Sequence, residues 1–319
     1  MPFAFFAFFA QDNSAIEICP DSQLPNNRPK SLSTMIITQP EIELGLRALG
    51  VTPGMRLITH SSLRSFGEVV GGAPTVVHAL MNVVGPSGTL LFPTFNHGET
   101  FGPDFAQPFN PRATRTINGA IPEAFWRMPG VLRSLDPTHA FAAWGADAAR
   151  YVAGHHRTLT MGAHSPLGLL LADGGSALLL GVDYDRNTFH HVIETMTDAP
   201  CLGKRTEAYP VRTADGRVIA ARTWSWRNGS CPITDAARYG SLMHVQGLDR
   251  RGIIGECHAT LFALRDCFDL VSTLLRTGLD EHPPCSRCPI RPRVVDITVE
   301  SDWDETTGRP RADSVCWTY

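Results

Sequence analysis

Two short runs of uninterrupted apolar residues limit this chain's fold most tightly: Thr89-Leu90-Leu91-Phe92, bounded by Gly88 and Pro93, and Ala177-Leu178-Leu179-Leu180-Gly181-Val182. A strand with one wet face alternates polar and apolar residues, so a run without polar positions belongs to a strand buried on both faces. Segments of helical period lie around them. Pro40 suits a first turn and Gly50 a stop for a helix in which Ile42, Leu44, Leu46 and Leu49 recur among polar residues. Residues 55–60 read as a further strand and 131–134 as a short one. Residues 75–84, 121–126 and 145–152 read as helices, and another falls within 260–276. Strands alternating with helices predict an α/β fold (α+β sandwich), with a central mixed sheet flanked by helices. Between residues 205 and 230, Thr, Val, Arg, Ile and Trp alternate about Ala214-Asp215-Gly216, which predicts an antiparallel hairpin insertion.

With 319 residues, 43% of them hydrophobic, the chain can fill a sizeable core. Lys and Arg number 28 against 31 Asp and Glu, and a net charge of −3 offers no broad attraction for nucleic acid or an anionic membrane. No linker interrupts residues 35–280, so 35–319 reads as a single domain ending in a Cys-containing tail. Residues 1–34 read as a mobile N-terminal extension. Its start, MPFAFFAFFA, is apolar but lacks the basic residues of a secretory segment and falls far short of the roughly 20 residues that span a bilayer. The eight cysteines are too sparse for a disulfide scaffold and point to reduced thiols and a cytoplasmic location. Cys285 and Cys288 form the one tight Cys-x-x-Cys pair. With His282 and a fourth donor such as Cys257, His258 or Cys316 they have the ligand types of a structural zinc, although the neighbouring prolines equally describe a loop without metal.

Four stretches carry a resemblance. They are His60-Ser61-Ser62-Leu63 with Gly67 and Gly71-Gly72-Ala73; Gly88-Thr89-Leu90 with Pro93-Thr94-Phe95; Gly119-Ala120-Ile121-Pro122-Glu123 with Phe125; and a last group of Arg133-Ser134, Gly162, Ser165-Pro166-Leu167, Leu178-Leu179-Leu180-Gly181 and Asn187-Thr188-x-x-His191-x-x-Glu194. In this order the chain resembles the aminoglycoside 3-N-acetyltransferase family, also called the antibiotic N-acetyltransferase family, over about residues 55–200. The resemblance implies that family's fold and direct transfer of acetyl from acetyl-CoA to an amine in a ternary complex. The partners are then a small-molecule amine and acetyl-CoA, in a monomer or homodimer, with no metal needed for the chemistry.

An ammonium is not nucleophilic, so some group must take its proton, and His is the side chain best suited near neutrality. His191 is the expected base. Glu194, three residues on, shares its helix face and can orient the ring, while Thr188 stands where an N-cap would. His190, turned about 100° away on a helix, ranks below it. Glu123, in the first turn after Pro122, is expected to support His191 or the substrate amine. The resemblance further implies CoA contacts from Ser61, Ser62, Leu63, Gly71, Gly72, Ala73 and Thr75, and acceptor contacts from Asn96, Asp136 and Asp185.

The sequence also departs from the family pattern. Asp136 replaces the histidine of Arg-Ser-x-His-Pro, His139 appears three positions later, Ala140 stands where a serine is usual, and Asn110 stands where an aspartate is frequent. A polycationic acceptor calls for carboxylates, and the candidates are Glu99, Asp104, Asp136, Asp183, Asp185 and Asp198. The departures leave open a non-antibiotic amine, a longer acyl group, or a catalytically silent or zinc-assisted binding protein on the same fold.

Overall fold

A computed structural model describes residues 35–96, 107–202, 205–224 and 227–291 and two short strands, Trp303–Asp304 and Arg309–Pro310. The chain divides between Thr34 and Met35. Residues 1–34, Glu99, Asp104 and Cys316 lie outside the described residues.

Helix α1 (Gln39–Leu49) begins where the Glu41 carboxylate accepts from Thr38 N at 2.8 Å and ends at Gly50, whose φ of 108° suits glycine. Strand β1 (Arg56–Ser61) leads through a short turn to α2 (Ala73–Val84) and then β2 (Thr89–Pro93). After α3 (Ala120–Trp126) come β3 (Leu132–Arg133), β4 (Phe141–Gly145), α4 (Ala148–Val152) and α5 (Pro166–Ala172). Strand β5 (Ser176–Leu180) and α6 (Phe189–Met196) precede the hairpin β6 (Arg205–Arg212) and β7 (Val218–Trp224). The order closes with α7 (Tyr239–Val245), β8 (Asp249–Ile254), β9 (Cys257–Ala263) and α8 (Leu264–Thr277).

Seven strands form one sheet in the order β8-β9-β5-β1-β2-β4-β3. Its centre, β5-β1-β2, is parallel, and every outer pairing is antiparallel. The two apolar runs are thus the strands on either side of β1, and both of their faces are covered. Leu57, Leu90, Leu178 and Leu180 pack into one core with α1, α2 and α3, whereas Ile58, Leu91, Ala177 and Leu179 pack into another with α5, α6 and α8. Burying a leucine completely in either core contributes about 2 kcal/mol. The expected mixed sheet, covered on both faces, is the fold observed, and the hairpin is a separate two-stranded antiparallel sheet.

One expected helix is shorter than its sequence suggests: Gly145 ends β4 and the helix is confined to Ala148–Val152. A strand and a helix abut there almost without a loop, so a single apolar pattern covers two periods. The last expected helix starts within its range, α8 beginning at Leu264 directly after β9. No helix among the described residues is long and apolar enough to cross a membrane.

Candidate active site

The parallel strands β1, β2 and β5 deliver their carboxyl ends to one side of the sheet, where ligands of open α/β sheets commonly bind. A cavity of about 650 Å³ opens there. It is walled by His60 and Ser61 from the end of β1, Phe95 beyond β2, and Asp185 between β5 and α6. The first turn of α6 adds Thr188, His190 and His191, and the chain after the hairpin adds Arg227 and Asp235.

Helix α6 starts differently from its sequence expectation. Thr188 has helical backbone angles and its hydroxyl caps nothing; the Asn187 side-chain oxygen accepts from Phe189 N at 3.3 Å. Asn187 is itself fully buried, and its amide donates to the Tyr239 hydroxyl at 3.1 Å. The Thr188 hydroxyl is thereby released toward the cavity, 3.4 Å from His60 Nε2.

One turn on, His191 Nδ1 lies 2.9 Å from Glu194 Oε2, the pairing read from their spacing. The His191 side chain is 21% exposed and reaches the cavity, whereas Glu194 is 1% exposed beneath it. The other Glu194 oxygen is gripped from behind by the Thr234 hydroxyl and by Arg227 Nη2 at 3.0 Å. Arg227 also reaches Asp235 at 2.5 Å, and Asp235 accepts from Cys231 N at 2.8 Å. Burial by itself would raise the Glu194 carboxyl, but the hydrogen bond and charge of His191 and the charge of Arg227 outweigh it and hold the group well below the usual carboxylate range. The pair is therefore an imidazole oriented by a permanently ionised carboxylate.

Two other cavity histidines are of a different kind. Burial lowers His60 to about 3, and burial followed by the neighbouring His191 lowers His190 well below its ordinary value. Both are neutral at neutral pH. Burial also lowers His156 to about 4, with Arg157 and His155 acting in the same direction. Below pH 6.5 the unfolded imidazoles take up protons that the folded ones refuse, so their contribution to stability is complete above 6.5 and declines as pH falls toward 4 and 3. The melting temperature is expected to drop between pH 7 and pH 5; a scanning-calorimetry series that is flat over that range contradicts this.

Asp136 does not face the cavity. It is fully buried, its Oδ1 accepting from Thr138 N at 3.0 Å and His139 N at 2.7 Å and its Oδ2 from the Thr160 hydroxyl at 2.8 Å. This carboxylate folds the loop that sets His139 into the cavity wall, and its oxygens are taken up by that loop and by Thr160. Asp136→Ala is therefore expected to cost about 1–3 kcal/mol of folding stability through the donors it orphans, measured by urea titration. A variant of unchanged stability with a selectively raised KM for a cationic amine is the outcome that contradicts this placement.

Glu123 is likewise engaged elsewhere. It accepts from Thr116 N and Trp126 Nε1, each at 3.0 Å, and pairs with Arg127 at 2.6 Å, which braces the segment carrying Asn118 and Gly119 rather than His191. The Asn96 amide donates to Pro137 O at 2.8 Å and so belongs to the Asp136 loop. Of the expected CoA contacts, Ser61 lines the cavity with a buried hydroxyl that has no hydrogen-bond partner among the described residues. Ser62 and Leu63 lead into the short turn after β1. Gly71, Gly72, Ala73 and Thr75 form the start of α2, outside the cavity lining, where the Thr75 hydroxyl donates to Val70 O at 2.7 Å.

Arg227, Thr234 and Asp235 had no sequence signal. Thr234 lies 40 residues beyond Glu194, and only the return of the chain after the hairpin brings this group beneath α6. His190, His191 and Asp235 place ligand atoms within 4.8 Å of one another. Arg227 already occupies Asp235 there, so a metal ion would have to displace a guanidinium.

Residues 58–276 match the family model described as aminoglycoside 3-N-acetyltransferase. The chain is 32% identical over 265 residues to aminoglycoside N(3)-acetyltransferase VII of Streptomyces paromomycinus, covering 73% of this chain and 89% of that protein. It is 30% identical over 271 residues to aminoglycoside N(3)-acetyltransferase IX of Micromonospora chalcea, covering 76% and 95%. Among solved structures it resembles AAC-IIIb in a binary complex with CoASH, at 26% identity and a TM-score of 0.68, over 78% of this chain and 100% of that one. AAC-VIa bound to sisomicin is similar at 28% identity and a TM-score of 0.65, over 76% and 98%.

Proposed function

The chain belongs to the aminoglycoside 3-N-acetyltransferase family, and on that premise we propose that it moves acetyl from acetyl-CoA to a primary amine of an aminoglycoside-like acceptor, with His191 as general base. The observation that carries this reading is the His191–Glu194 pair at the cavity wall, with its carboxylate sealed from solvent. Donor and acceptor names among the relatives support the substrates: one solved relative holds CoASH and another sisomicin.

Glu194 accepts the hydrogen on Nδ1 of neutral His191, so the amine proton is taken at Nε2. The amine nitrogen attacks the thioester carbonyl carbon, the C–S bond breaks as the tetrahedral intermediate collapses, and the thiolate of CoA takes a proton from the imidazolium. Amine and acetyl-CoA thus yield amide and CoASH, with the base regenerated. No acetylated enzyme is needed. The imidazolium forms beside a carboxylate that is already ionised, which favours the step that creates it. The unpartnered Ser61 hydroxyl is a donor at the same cavity, suited to the thioester or the pantetheine arm.

Asp185 gives the cavity a carboxylate for a cationic acceptor. The burial of Asp136 among Thr138, His139 and Thr160 supports a loop-forming role for it. The reduced cysteines and the need for acetyl-CoA support a cytoplasmic enzyme, acting as a monomer or homodimer. The test is release of CoASH from acetyl-CoA in the presence of a panel of aminoglycosides and simple polyamines, followed by mass spectrometry of the products. A mass gain of one acetyl group on an aminoglycoside is expected, and turnover with the polyamines alone overturns the acceptor assignment.

A further inference from the structure

We propose that His190, His191 and Asp235 form an inhibitory site for a zinc ion, which on binding occupies the catalytic base and stops acetyl transfer. That the ion binds stands on geometry alone; that it inhibits rests on His191 being the base.

The tail residues His282, Cys285 and Cys288 have the ligand types of a zinc site, but among the described residues no trio that includes them brings its ligand atoms within 4.8 Å. The trio that does lies in the active-site cavity. Although His190 and His191 follow one another on α6, their rings converge, with centroids 4.3 Å apart and planes nearly perpendicular. His190 Nε2 stands 3.9 Å from Asp235 Oδ1.

Hydrogen bonding decides what these atoms offer. The Tyr239 hydroxyl donates its single proton to Tyr184 O at 3.3 Å, so toward His190 Nδ1, 3.4 Å away, it acts as acceptor. His190 therefore carries its hydrogen on Nδ1 and presents a lone pair at Nε2. His191 likewise directs its Nδ1 hydrogen to Glu194 at 2.9 Å and keeps a lone pair at Nε2. Two imidazole lone pairs thus gather beside a carboxylate oxygen, three electron-rich atoms that a cation joins. Two neutral imidazoles and a carboxylate suit zinc, which accepts three such protein ligands and leaves its fourth position to water. Each ligand is already held from behind: His191 by Glu194, His190 by Tyr239, and Asp235 by Cys231 N at 2.8 Å. Such outer hydrogen bonds fix the orientation of metal-binding side chains.

The ion must take Asp235 Oδ1 from Arg227, which lies at 2.5 Å. Arg227 also holds Glu194 at 3.0 Å, so the guanidinium gives up one carboxylate and keeps the other. This exchange limits how tightly the ion is held. Once bound, zinc fills the His191 Nε2 lone pair that takes the amine proton, and the metal-loaded enzyme is inactive.

The probe is zinc sulfate, titrated calorimetrically into the full-length Cys285→Ser/Cys288→Ser protein, in which the tail thiols no longer compete as ligands. One zinc per chain is expected, and His190→Gln in the same background should weaken binding by roughly 10-fold or more. No binding at that stoichiometry, or unchanged affinity in the His190→Gln variant, overturns the site. Should either protein fail to fold, wild-type crystals soaked in zinc sulfate decide. Anomalous density joining His190, His191 and Asp235 is expected, and its absence refutes the proposal. The same zinc range should abolish acetyl transfer from acetyl-CoA to an aminoglycoside. Zinc bound at the trio with transfer intact overturns the inhibition and with it His191 as base. A protein without transfer activity that still binds zinc there removes the acetyl-transfer reading and supports the metal site.

Discussion

His191→Ala is expected to lower kcat for acetyl transfer by about 10²- to 10⁴-fold, the usual contribution of a positioned general base, while acetyl-CoA still binds with nearly unchanged affinity by calorimetry. The ring is 21% exposed at the cavity wall and its removal buries no new charge, because Arg227 and Thr234 still satisfy Glu194 from behind. The variant should therefore fold, and its loss should appear in kcat rather than in Tm. A variant of normal kcat removes His191 from the chemistry; one that also loses CoA binding shows that the ring holds the donor instead.

The sequence made the inner sheet legible because uninterrupted apolar runs have few alternatives, and β2 and β5 lie where those runs fall. The His191–Glu194 pair was legible for a similar reason, since an i, i+3 spacing on a helix fixes contact without tertiary information. The local engagement of Asp136 and Glu123 was not legible, because a carboxylate that folds a loop reads the same in sequence as one that binds an amine. What distinguishes them is which donors converge on them, and those include Thr160 and Arg127, whose positions depend on the folded chain. The Glu123/Arg127 spacing of i, i+4 was the available hint. Arg227 and Asp235 were invisible because their role comes only from the return of the hairpin beneath α6.

Those two residues carry the other large effect. Arg227 is the cation in a buried cluster with two carboxylates, its side chain 3% exposed against 1% for Glu194. Burial would lower its pKa, but Glu194 and Asp235 raise it above the ordinary value, so the guanidinium stays charged. Arg227→Met leaves Glu194 and Asp235 without their counter-ion. Breaking a buried pair in this way costs about 3–5 kcal/mol, a marked loss of Tm by calorimetry. The same substitution lets the Glu194 carboxyl rise from its depressed value, so activity should fail at a higher pH on the acid side than in wild type. Adding Glu194→Gln removes one of the two stranded charges and should return part of the lost stability while leaving the base without its carboxylate. Stability partly restored with activity still low is the expected signature, since the two substitutions share one network and cannot be additive. Additive losses in the double variant would show that Arg227 stabilises the fold without acting through Glu194.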